Sequence, residues 1–112
     1  MAAPQITQDP LYQLLREENI TEFNEQRKAG VAAELSGCDF RGLDLREIDA
    51  AGLDLSNSYF RSADLRGIDF RETNIEGISI SSCKISGCYF PKEISVDEIR
   101  MSMEHGTRIR YR

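Results

Sequence analysis

Residues 38–70 read CDFRGLDLREIDAAGLDLSNSYFRSADLRGIDF. A large apolar residue returns at every fifth position, with Ala50 the one interruption. A helix repeats its inward face every 3.6 residues and a strand every second residue, so a step of five belongs to neither. Stepping by five from Leu35 gives Phe40, Leu45, Ala50, Leu55, Phe60, Leu65, Phe70, Ile75, Ile80, Ile85 and Phe90. These twelve centres run without insertion or deletion. Two residues before each centre lies a second series of small or apolar side chains, from Ala33 through Cys38, Leu43, Ile48 and Leu53 to Cys83 and Cys88. Asp, Arg, Gly, Ser, Glu and Asn fill most of the rest. Gly recurs at 37, 42, 52, 67, 77 and 87, two residues after a centre, where a corner needs a backbone free to bend.

Fixed spacing over so many units marks a repeat architecture. Units such as SADLR (62–66) and GLDLS (52–56) resemble the A(D/N)LXX motif of the pentapeptide-repeat family. The resemblance covers 31–91 and implies that four units close one coil, with the centre and the residue two before it pointing inward. The fold it implies is mainly β: a right-handed quadrilateral β-helix of about three coils, capped by short α-helices at both ends. If four steps close a coil, residues twenty apart stack about 4.8 Å apart, and three coils rise about 14 Å. Phe40 then lies over Phe60, and Ala50 joins the column of Phe70 and Phe90.

The flanks read as caps. Residues 1–8 are expected to be flexible. Residues 9–30 form a helical cap: Asp9 before Pro10 is an N-cap, NITE at 19–22 is a second start, and Gly30 is a stop. In 92–112, Ser95 and Glu98 suggest a capping box, Ile94 and Ile99 a staple, and Val96, Ile99 and Met103 a buried stripe. Gly106 ends that helix, and TRIRYR alternates as a short strand.

The chain of 112 residues is one small domain, with net charge −5. Residues 1–30 carry three basic and five acidic side chains, and 92–112 five and four. An acidic chain is not steered to nucleic acid. No apolar run is long enough to span a membrane, and no secretory signal is visible. Three cysteines without an export signal point to free thiols in the cytoplasm. All three occupy the inward series, as small buried residues interchangeable with Ala or Ser. The single histidine, His105, falls in the last turn of a helix, without the positioned partner that acid–base catalysis needs. No enzyme activity, cofactor or metal is expected.

The outward positions hold the candidate interaction surface. Asp39, Asp44, Asp49, Asp54, Asp64 and Asp69 precede centres; Arg41, Arg46, Arg61 and Arg66 follow them. Stacking would set Asp44 over Asp64 and Asp49 over Asp69, with arginine columns alongside. Arg108, Arg110 and Arg112 in the tail offer an anion or partner site. These residues suit a non-enzymatic binding or scaffold module for a protein partner or a second copy of the chain. The family resemblance implies an alternative: a DNA mimic that binds a type II topoisomerase, of the gyrase-binding, quinolone-protection type.

Overall fold

A computed structural model describes residues 3–111. Three helices form, each where its capping signal lies. Helix α1 (Pro10–Arg16) starts at Asp9, whose carboxylate accepts from the Leu11 and Tyr12 amides. Helix α2 (Ile20–Lys28) starts at Asn19, which accepts from Glu22, and Gly30 follows it at φ 92°. Helix α3 (Val96–His105) runs from Ser95, whose hydroxyl accepts from Glu98, to Gly106 in the left-handed conformation.

Between the caps the chain is a stack of twenty-residue turns. Parallel bridges join Asp39 to Tyr59 and Tyr59 to Ser79, Asp44 to Asp64 and Asp64 to Lys84, Asp54 to Asn74, and Asp69 to Tyr89. Each link spans twenty residues. The mainly-β class does not hold, however. Every pairing among the described residues is an isolated bridge; no strand or sheet forms, and the three short helices are the regular elements. The quadrilateral β-helix is corrected accordingly.

The reason lies in the five-residue step. A centre carbonyl accepts from the amide three residues on, as Phe60 accepts from Ala63 at 2.8 Å. Two residues after the centre, φ is positive at Gly37, Gly42, Glu47, Gly52, Asn57, Ser62, Gly67, Gly77, Ser82 and Gly87. A positive φ at the third residue of such a turn is the type II signature. Each step therefore spends its length on a turn, and one bridging residue is left between corners. A strand cannot grow from one residue.

The interior matches the two inward series. Leu35, Phe40, Leu45, Leu55, Phe60, Leu65, Phe70, Ile75 and Ile80 are buried. Phe40 and Phe60 stack at 4.9 Å between ring centres, and Phe70 and Phe90 at 5.8 Å. Ala50 is buried in line with them, so the small residue does not break the stack. From the second turn on, the inward polar residues follow one rule: Ser58, Thr73, Cys83 and Cys88 donate to the centre carbonyls of Leu35, Ala50, Phe60 and Leu65, at 2.7–2.9 Å. Each reaches the turn below, twenty-three residues earlier.

The two ends are closed differently. At the first turn, the amides of Glu34, Asp39, Asp44 and Asp49 meet the Asp9 carboxylate, the Gln5 carbonyl, the Glu18 carboxylate and the Asn24 amide oxygen. Gln5 is bridged to Cys38, so this part of the stretch expected to be flexible is pinned. At the last turn, Ile75 and Gly77 donate to Tyr111 and Ile109 of the tail, and Ile80 and Ser82 to Ser102 and Met103 of α3. The tail lies against the stack through hydrogen bonds, without the expected strand.

Helix α3 packs Ile99 and Met103 of its expected stripe against the core, but not Val96. Val96 is 70% exposed, while Ser102 is fully buried beside Ile99 and Met103. Its hydroxyl accepts the Ile80 amide, so the helix packs a polar group onto an unfinished ladder. The capping box is half formed: Glu98 turns away to hold the Arg110 amide and guanidinium.

Candidate interaction surface

The aspartates before the centres have a local task. Asp39, Asp44, Asp49, Asp54, Asp64 and Asp69 each accept the amide two residues on, and Asn74 does the same. Only a short carboxylate or carboxamide makes this closure, which is why Asp or Asn stands there. Four of them do a second job. Asp39, Asp44, Asp64 and Asp69 take a two-pronged contact from Arg41, Arg46, Arg66 and Arg71, with nitrogen–oxygen distances of 2.7–3.0 Å.

The stacked pair Asp44 and Asp64 does not stand as bare like charges. Arg46 lies between them, 3.3 Å from the Asp64 carboxylate. Hydrogen bonding from the following arginine holds all four carboxyls below the ordinary range, Asp64 and Asp69 at about 2. The stacked aspartates and the arginine columns beside them therefore form a neutralised lattice over much of their length.

Summing charge by column shows where neutrality fails. The column 43–47, 63–67 and 83–87 carries three acids and three bases. The column 48–52, 68–72 and 88–92 carries three acids and two bases. The column 33–37, 53–57 and 73–77 carries Glu34, Asp54 and Glu76, all exposed, and no base. The remaining column has Asp39 against Arg41 and Arg61.

These columns are built on a recognised unit. The family model described as pentapeptide repeats matches residues 38–77, in eight copies. Residues 38–77 are pentapeptide repeats. No curated protein and no solved structure matches the chain. The bridges of Ser79, Lys84 and Tyr89 carry the same twenty-residue register beyond the matched pentapeptide repeats.

The tail arginines part company. Arg110 pairs with Glu98 at 3.0 Å. Arg108 folds back over the Tyr59 ring and donates to the Tyr59 hydroxyl and the Gly77 carbonyl. Arg112 lies outside the described residues. Burial pushes the thiols of Cys38 and Cys83 up to about 11 and raises that of Cys88, so none is poised as a nucleophile. Among the described residues, no helix is long and apolar enough to cross a membrane.

Sequence reading missed Glu76 because it follows its centre instead of preceding it. Laying the repeats out twenty apart and summing each column would have found it.

Proposed function

We propose that the chain is a non-enzymatic protein-binding module of the reducing cytoplasm. The reading rests on one observation: a stack with a filled apolar interior presents columns of unlike charge, one of them purely acidic. Exposed charge at Glu34, Asp54 and Glu76 steers a basic partner, while the paired lattice beside it contributes little attraction. The three cysteines are free, which suits a reducing compartment. The thiols are held neutral and His105 is exposed at a helix end, which supports binding over catalysis.

DNA mimicry is the weaker reading. A duplex presents continuous uncancelled charge, whereas four of the candidate aspartates are each engaged by an arginine. A supercoiling assay with a type II topoisomerase should show neither inhibition nor protection.

The acidic column is tested by comparing proteins retained by the immobilised chain and by an E34Q/D54N/E76Q variant. A partner held by the first, lost by the second and released by added salt is expected. Identical retention by both would overturn the assignment.

A further inference from the structure

Among the five arginines that follow a repeat centre, one has no carboxylate partner. Arg41, Arg46, Arg66 and Arg71 are tied to the aspartate two residues before them. Arg61 follows Phe60, and the residue before that centre is Tyr59, which has no carboxylate to offer. The Arg61 guanidinium makes no hydrogen bond or ion pair with any described residue. Its fork is left open by one substitution in the repeat.

The end of the chain builds walls around it. Gly106 turns in the left-handed conformation, and its carbonyl accepts from the Ser79 hydroxyl at 3.1 Å. Arg108 then crosses the Tyr59 ring, 4.9 Å from its centre, and is fixed by the Gly77 carbonyl at 2.9 Å. The result is a groove of about 730 Å³ that gathers Arg41, Arg61, Arg108, His105, Ser79 and Ser81. Glu104 is the one carboxylate among the described residues lining it. A groove of similar size near α2 makes the contrast: Glu18, Asp44 and Glu47 line it against Arg46 and Arg66, both already paired.

One open guanidinium fork at Arg61, flanked by the fixed Arg108 and the Ser81 hydroxyl in the same groove, suits a tetrahedral oxyanion. A carboxylate occupies one fork, whereas a phosphate monoester offers three oxygens and nearly two charges. We propose that this groove binds a phosphate monoester, with Arg61 as its principal contact and Arg108 as a fixed second wall. The ester is either a free small molecule or a phosphorylated side chain of a partner. The site stands independently of the acidic column.

The test is a titration of the ¹⁵N-labelled chain with O-phosphoserine, with serine as the control. Saturable shifts of the Arg61 Nε–H and of the Ser79, Ser81 and Thr107 amides are expected, with a Kd on the order of 1 mM. Serine should leave them in place. Arg61→Gln should weaken binding about tenfold or more, and Arg66→Gln should not. Arg61 bonds to no described residue, so its variant should keep the spectrum of the folded chain. Absent shifts, equal shifts with serine, or equal losses in the two variants would overturn the site. A short peptide carrying one phosphoserine separates the sources: tighter binding than the free amino acid indicates a protein-borne ester, and equal binding a free one.

Discussion

At the scale of single residues, two positions in each repeat carry more than their size suggests. The residue two before a centre is a donor whenever it is polar, so Cys83 holds the Phe60 carbonyl through its S–H. Removing that donor leaves the Phe60 carbonyl with the Ala63 amide alone and loses one buried hydrogen bond. Cys83→Ala should lower unfolding free energy by about 1 kcal/mol, and Cys83→Ser should restore most of it, as read from denaturant titrations. The residue two after a centre pays for its left-handed backbone unless it is glycine. Glu47 sits at φ 72° and Gly67 at φ 80°, with nothing near enough to Gly67 to resist an added methyl. Glu47→Gly should therefore stabilise by about 0.5 kcal/mol and Gly67→Ala destabilise by about 1 kcal/mol, the difference being backbone strain set against unfolded-chain entropy. Equal small effects from both would mean that the turn conformation is not enforced.

At the scale of elements, the helices terminate a ladder as well as cover a core. The first turn's outward amides each find a cap, and α3 meets the last turn with a buried serine hydroxyl. Ser102→Ala would leave the Ile80 amide buried and unpaired, so it should cost about 1–3 kcal/mol in thermal or chemical unfolding despite removing one oxygen atom. A neutral result would mean that water replaces the hydroxyl. This also marks what the sequence could reveal. Asp9, Asn19, Ser95 and Gly106 announce the helix ends because capping is local chemistry. Hydrophobic period placed Ile99 and Met103 of α3 against the core but chose Val96 over Ser102, because the helix also meets an unsatisfied amide of the stack. The five-residue period identified which side chains point inward, but not how many residues stay extended between corners. Turn geometry decides that, and it leaves isolated bridges where strands were expected.

At the scale of the whole molecule, function turns on whether the surface carboxylates act together or are spent locally. The aspartates were legible in the sequence as an outward series; their bond to the amide two residues on was not. Each of the four paired carboxyls has its pKa depressed in the folded chain. Such a group stabilises the fold fully above its unfolded value, 3.8 for aspartate, and the contribution is lost as pH falls through the folded value, about 2 for Asp64 and Asp69. Unfolding takes up protons in that window, so stability should decline between about pH 4 and pH 2. The most direct measurement is a carboxyl-carbon NMR titration of the folded chain. Asp39, Asp44, Asp64 and Asp69 should titrate below the ordinary aspartate value, the last two near 2. Titration of these four together at or above 3.8, as mutual repulsion along an unpaired row would produce, would contradict the neutralised lattice and restore the continuous acidic strip.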